Sequence, residues 1–594
     1  MAATAVAGAL LGGGRATADP SDSGRSETIL DNSDGLIVSE VTWYAPMPSG
    51  ALPHPPDLDH IGYLRVRAED GPDDPAAADA VISTQAGASE GPASLDPLAR
   101  NTVRELRRRG IRAEFWVMDR RDNRVKDATG LTAAVEAGDY RIALDYYYRG
   151  GEAGGRRFDG FTVRGERANL LADYGLRQLI EDWHFIHTHE LPDPSLRRRK
   201  LFIGGHSYGG QMIAVYASWD FGDRGDYTDA GSNQIAGYVS VDGPMHTRIA
   251  PDHIPVFSQG IRMFWDSPLG AMPVEVVNQG LRLGVLPRTV ALPNVLDAFT
   301  EDIPPEVLPN PFPDIATMLN VIGIAARFEP EAESPLPREL PQSWLWETVG
   351  RVIFGGGLPE MISNQPNFRD FRMTNAAVLG ATYSSHGVGS FFATAFGTYD
   401  GGPVVERKVP FGTEFNAIPL LGWGTSFATW VPRMAMAEPG RLYTWRNYDR
   451  VGEPYDFPQR AADGGPFSTP AQQHCDARQI AAAVGGARLG FLEPYVSTRQ
   501  YTDELFMLSG NRSGDFRFLR FEDFRGRVPG IQLVSAQLWG KFRWVPGFVE
   551  PDAVPVADYS HQDMINAAAV QNDGTPDPVM WHTADFVQRT LETL

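Results

Sequence analysis

The chain has 594 residues, 42% of them hydrophobic and 21% charged, which is enough for two or more domains and a sizeable core. Its formal net charge of −21 argues against nucleic acid or an anionic membrane as partner, since either would need a basic patch. One cysteine, Cys475, excludes an internal disulfide, and past the start no run reaches the ~18 apolar residues of a membrane span.

The opening stretch MAATAVAGALLGGGRATADP is small and apolar and ends in Ala16-Thr17-Ala18 before Asp19. Residues 1–18 therefore read as a cleaved signal peptide, implying export, although the basic segment usual at its start is missing; a bare Ala/Gly tail is the alternative. Next, GLIVSEVTWYA and HIGYLRVRA predict two strands across a Pro-rich linker, and AVISTQA (80–86) a third. Residues 94–109 place Leu95, Leu98, Ala99, Thr102, Val103 and Leu106 on one helical face and stop at Gly110; AEFWVMD (113–119) is again a strand.

Residues 120–163 read as an irregular, Arg- and Gly-rich excursion. A helix follows, with Leu176, Leu179, Ile180 and Trp183 on one face. His184, His187 and His189 close it without a carboxylate or cysteine partner at fixed spacing, so they read as a solvated helix end and not as metal ligands. KLFIGG is a strand, GGQMIAVYASW a helix, and QIAGYVSVD (234–242) a strand. The alternation then lapses in favour of Pro-, Met- and aromatic-containing segments. It resumes with IQLVSAQ (531–537) and AVPVA (553–557) and closes on a helix with Asp577 as N-cap and Pro578 in its first turn. The pattern predicts an α/β fold, a mostly parallel sheet covered by helices on both faces. The expected partition is a core at 19–245 and 515–594, split by a large, mainly helical insertion at 246–514.

Two stretches match Gly-x-Ser-x-Gly: Gly87-Ala88-Ser89-Glu90-Gly91 and Gly205-His206-Ser207-Tyr208-Gly209. A nucleophile elbow needs a strand directly before it and a helix directly after it, with glycines where the tight turn leaves no room for side chains. Ser207 has both, whereas Ser89 is followed by Pro92 and its helical periodicity starts only near Leu95. Ser207 is the candidate nucleophile. The rejected stretch ends the strand that, in enzymes built on such an elbow, supplies one oxyanion-hole N–H, the other coming from the residue after the nucleophile; Gly87, Ala88 and Tyr208 are the candidates. His206 reads as a local packing or hydrogen-bonding residue.

With Ser207 set in GGHSYGG between a strand and a helix, the sequence resembles the α/β-hydrolase superfamily over about residues 35–245 and 525–594, and WVMDRRDN, GGHSYGG, ASWDF and VSVDG together also look like a group of bacterial secreted or uncharacterised hydrolases. The resemblance implies a Ser, acid, His order along the chain. It points to His561, in ADYSHQDMINAA between the last strand and a helix, as the base; His386, in the insertion, is the rival. The acid's usual Gly-x-x-Asp-x-x-Pro place reads Gly540-Lys541-Phe542-Arg543-Trp544-Val545-Pro546, with arginine in the acid's position. Asp242, at the end of VSVD, is preferred to Asp552, Asp558 and Glu550 as the acid.

The expected chemistry is hydrolysis of a carboxylic ester, apolar or aromatic, through an acyl-enzyme, without a cofactor or metal. An amide or lactone would need the same machinery, and a non-catalytic binding protein on the same scaffold is the reading from another class. The insertion is expected to cap the site, its aromatic and methionine side chains favouring an apolar small molecule.

Overall fold

The computed structural model describes residues 24–594 apart from 250–267, 269, 290–311, 344–345, 348–349, 352–353, 355–357, 385–393, 407–433, 458, 460, 462 and 544–547. The leader expected over residues 1–18 and the rival base His386 lie outside the described residues.

The strands are β1 (Arg25–Ser33), β2 (Leu36–Tyr44), β3 (His60–Ala68), β4 (Ala80–Gln85), β5 (Ala113–Asp119), β6 (Leu201–His206), β7 (Gly237–Val241), β8 (Gly530–Ser535) and β9 (Val554–Val556). They form one nine-stranded sheet in the order β1-β2-β3-β5-β4-β6-β7-β8-β9. β1, β2, β3 and β5 pair antiparallel in turn, and every pair from β5 to β9 is parallel. All residues of β4 to β7 are buried, which is why they read as unbroken apolar runs. The architecture is that of the α/β-hydrolase fold, as the sequence led us to expect.

Helices α1 (Asp96–Arg108), α4 (Leu176–Glu190), α5 (Tyr208–Ser218) and α10 (Pro578–Thr593) cover the sheet. On one face Leu98, Ala99, Val103 and Leu106 of α1 pack with Val579, Met580, Ala584 and Val587 of α10; on the other, Leu179, Ile180 and Trp183 of α4 pack with Met212 to Ala217 of α5. Asp577 caps α10 through the N–H groups of Val579 and Met580.

The excursion at 120–163 is not irregular. It holds α2 (Thr129–Ala137) and α3 (Tyr140–Tyr148). Their apolar faces, with Leu131, Ala134, Ala143 and Leu144, join one core with residues 316–492 of the insertion, including α6 (Phe312–Phe328), α7 (Asn375–Tyr383) and α8 (Ala477–Val484). The insertion also carries a three-stranded sheet of Arg372–Met373, Leu442–Asn447 and Gly397–Asp400. Helix α9 (Thr498–Leu508) returns to the hydrolase core through Phe506, Met507 and Leu508.

The end of α4 departs from the expected solvated surface. His189 is exposed, but His187 is fully buried, with Nδ1 against the Tyr216 hydroxyl at 2.9 Å and Nε2 against Ser83 Oγ at 2.8 Å. His184 also meets the Tyr216 hydroxyl, at 3.1 Å. Burial holds His187 well below its ordinary pKa and pushes His184 down to about 3. Histidines depressed in this way contribute stability that is intact above the unfolded-state value near 6.5 and is lost as pH falls below it, because the unfolded chain then binds protons that the folded chain refuses. The urea midpoint should therefore drop between about pH 7 and about pH 5, and drop less in His187→Gln.

Candidate active site

The site stands on the carboxyl ends of β4, β6, β7 and β8, where open α/β sheets present their ligands. Ser207 occupies the turn between β6 and α5 with φ 54° and ψ −117°, a region that a residue with a Cβ enters only when its surroundings force it. The turn is locked by Ser207 N–H donating to Val241 O (3.0 Å) and Gly210 N–H donating to Ser207 O (2.9 Å). A Cβ at Gly205 would collide with the Gly209 backbone, and one at Gly209 with the carbonyl of Gln85, so both glycines are required by contact. Ser207 itself is half-buried.

Asp242 directly follows β7, with φ 49°, and is wholly buried. Its Oδ1 accepts from Ser535 N–H (2.7 Å), and its Oδ2 accepts from Ser535 Oγ (2.7 Å) and from His561 Nδ1 (2.6 Å). That bond fixes the proton on Nδ1 and leaves the lone pair of the neutral imidazole on Nε2. His561 N–H donates to Gln537 Oε1 (3.0 Å), setting its loop on the segment after β8. Burial, reinforced by the His206 charge, lowers the His561 pKa against the opposing pull of Asp242.

The other carboxylates weighed from the sequence lie elsewhere. Asp552 and Asp558 are exposed, and Glu550 pairs with Arg525 at 2.7 Å. Arg543, in the place where related sequences carry the acid, is exposed at the end of a short helix.

His206 is buried and hydrogen-bonded to two segments distant in sequence. Its Nδ1 lies 2.9 Å from Glu90 Oε2 and its Nε2 3.1 Å from His561 O, with the two imidazole centroids 4.3 Å apart. Ser207 thus follows directly on a residue that touches His561, and its backbone is bonded to the residue preceding Asp242.

In the loop after β4, Gly87 N–H donates to Glu90 Oε2 at 2.7 Å, so this donor is already taken. Ala88 follows it, half-buried, and Ser89 has φ 59°. Tyr208 opens α5, where the first N–H groups have no acceptor within the helix. Arg120 clamps the loop from below, donating to Gly87 O (2.7 Å), Glu90 O (2.8 Å) and Ala86 O (3.3 Å) while pairing with Glu493 at 2.6 Å. Glu493 N–H donates to Ser89 O, and Gly91 N–H to Phe491 O, so the insertion's return segment braces this loop. The insertion also reaches the loop carrying His561: Ala395 N–H donates to Asp563 Oδ1 (2.8 Å) and Ala568 N–H to His474 O (2.7 Å). Cys475 is buried there, its thiol against Asp563 and its pKa raised by burial.

The sequence reading did not single out Glu90, Arg120, Glu493, Ser535 or Gln562. Glu90 alone left a trace, a charge set among small residues directly after a buried strand. Among the described residues, Glu90, His206 and His561 are the one set of three potential ligand side chains close enough to share a cation, their atoms within 4.8 Å of one another. The hydrogen bonds above already engage His206 at both ring nitrogens and His561 at Nδ1. Among the described residues no helix is long and apolar enough to cross a membrane.

The Gly205 and Gly209 contacts generate a prediction. Gly209→Ala should lower stability by about 1–3 kcal/mol by overpacking the turn against β4, read as a fall in melting temperature, with native-like circular dichroism in the folded baseline.

No family model matches the chain, and no curated protein does. Solved structures are similar to it at low identity. An acetyl xylan esterase from Thermoanaerobacterium sp. is 13% identical, with a TM-score of 0.22, over 44% of this chain and 66% of that one. The juvenile hormone epoxide hydrolase of the silkworm Bombyx mori is 8% identical, with a TM-score of 0.27, over 96% of this chain and 79% of that one. A bacterial heroin esterase is 17% identical, with a TM-score of 0.19, over 40% of this chain and 53% of that one. By its own strand order and the strained turn between β6 and α5, the chain has the α/β-hydrolase fold.

Proposed function

We propose that the chain is a serine hydrolase acting on carboxylic esters, with Ser207 as nucleophile, His561 as base and Asp242 as the acid that orients it. The observation that carries this reading is the 2.6 Å bond from His561 Nδ1 to Asp242 beside the strained Ser207 turn. As Ser207 Oγ attacks the acyl carbon, His561 Nε2 takes the hydroxyl proton, and Asp242 stabilises the imidazolium that forms. The oxyanion is met by the N–H groups of Tyr208 and Ala88; Gly87, with its N–H on Glu90, holds the loop instead. His561 then gives the proton to the leaving alcohol, and water attacks the acyl-enzyme by the same route in reverse.

The insertion acts as the cap. Its contacts with the loops at 86–93 and 558–568 support this role, and its aromatic and methionine side chains favour an apolar acyl or alcohol group. Amides and lactones could use the same groups, and turnover of p-nitrophenyl esters of graded chain length against the matching anilides separates the classes. Export rests on the leader-like first 18 residues, and a mature protein beginning at Asp19 by mass spectrometry would bear on it.

A fluorophosphonate should label Ser207, identified by peptide mapping, and labelling should vanish in Ser207→Ala and fall to background in His561→Ala. Asp242→Asn should cut ester turnover by about 10⁴-fold, while Asp552→Asn stays within about twofold of the parent. Labelling at another residue, or an unaffected Asp242→Asn rate, would remove the assignment. Because burial and the neighbouring charge lower the His561 pKa, the rate should rise with pH through a midpoint below 6.5 and then level off.

A further inference from the structure

We propose that Glu90 and His206 form a buried carboxylate–imidazolium couple that acts as the positioning pair of the site, holding the oxyanion loop, the elbow and the His561 loop in one register. The proposal rests on the serine-hydrolase reading above and adds residues to it that do not touch substrate.

Contacts and electrostatics point to the charge state together. Glu90 Oε2 accepts from Gly87 N–H at 2.7 Å, and Oε1 accepts from Gln562 Nε2 at 2.5 Å, a set of donors that favours the carboxylate form. His206 places Nδ1 against that carboxylate at 2.9 Å and Nε2 against the carbonyl of His561 at 3.1 Å. Against a carboxylate and a carbonyl, a proton on each ring nitrogen satisfies both contacts, and the ring is then a cation. Burial works to lower the His206 pKa, but Glu90, with Asp242 and the His561 carbonyl, outweighs it and the value is raised; burial works to raise that of Glu90, and His206, with His561 and Gln562, outweighs it in the opposite direction. Glu90 and His206 are 1% and 0% exposed, and each compensates the buried charge of the other.

The reach of the couple gives it its role. Glu90 bonds the loop after β4 through Gly87, the residue before the nucleophile through His206, and the residue after the base through Gln562. His206 closes the circuit on the backbone of His561, whose ring is bonded to Asp242. Each of the three segments that must converge for the reaction is tied to this one carboxylate or to its partner ring.

The couple also acts on the base through space. The groups that face His561 are His206 from β6, Asp242 from β7 and Glu90 from the loop after β4; burial and then His206 lower its pKa, and Asp242 and Glu90 oppose them. From the insertion, Tyr383 of α7 faces Glu90 as a neutral phenol whose pKa burial raises further. Arg120 binds the Glu90 carbonyl and pairs with Glu493. Withdrawing the His206 charge while Glu90 stays ionised must therefore make His561 more basic.

The test measures second-order labelling of Ser207 by a fluorophosphonate across pH in the full chain, in the parent, His206→Gln, Glu90→Gln and the double variant. His206→Gln should shift the midpoint of the rate profile to higher pH and lower its plateau by about tenfold or more. The double variant, with no lone buried charge, should recover part of the plateau and of the melting temperature that either single variant loses. Profiles superimposed on the parent, with plateaus within about twofold, would overturn the proposal, as would losses that simply add in the double variant. Should the single variants fail to fold, the parent labelled with ¹⁵N-histidine decides: a ring with the nitrogen shifts of imidazolium above pH 7, assigned to His206 by its absence in the double variant, supports the couple. A ring that is neutral there overturns it. A parent that is not labelled at Ser207 sinks the hydrolase reading alone, since the nitrogen shifts report the couple independently.

Discussion

The carboxylate of Asp242 is the constraint on which the rest of the site depends. Its polar oxygens have no exposure to water, so its hydrogen bonds are obligatory. Those bonds run to the backbone and hydroxyl of Ser535 at the end of β8 and to the imidazole of His561. One group thereby joins two neighbouring strand ends to a loop 319 residues further along the chain. The proposed chemistry and the joining of these strand ends share the same bonds.

Backbone strain gathers along this rim. Among the described residues eight without a glycine's freedom have positive φ, and Ser89, Ser207, Asp242 and Asp558 all follow strands of the main sheet. Conformations of this kind cost about 1–3 kcal/mol each and survive where rigid surroundings impose them. The fully buried parallel strands β4 to β7 are such surroundings, and Arg120 with the insertion's residues 491–493 braces the outer loop.

Much of the fold was legible because local chemistry and global role coincide. A strand buried on both faces must be apolar throughout, so β4 to β7 declared themselves. The elbow could be told from the accidental match at Ser89 because only one of them runs directly from strand into helix. Asp242 meets His561 although no spacing rule links residues 242 and 561. What was hidden depends on distant partners. α2 and α3 bury their faces against residues 316–492, so their own sequence looks irregular. His187 looked solvated because Ser83 and Tyr216, which satisfy it, lie far off in sequence. β1, RSETILDNS, escaped notice because an edge strand that is mostly exposed carries no apolar alternation. The pairing of Glu90 was invisible because its partners, His206 and Gln562, come from two other segments.

The order in which the sheet is assembled has a consequence for biosynthesis. β7 ends at Val241, and its neighbour β8 begins only at Gly530. During translation the ribosome must therefore release nearly three hundred further residues while the β7 edge stands open to any passing strand, including that of another nascent copy. The insertion's core, which recruits α2 and α3 from upstream, gives the emerging polypeptide something to collapse onto during that interval. Slow synthesis through this region, or a holdase chaperone that shields the edge, would favour productive folding over aggregation.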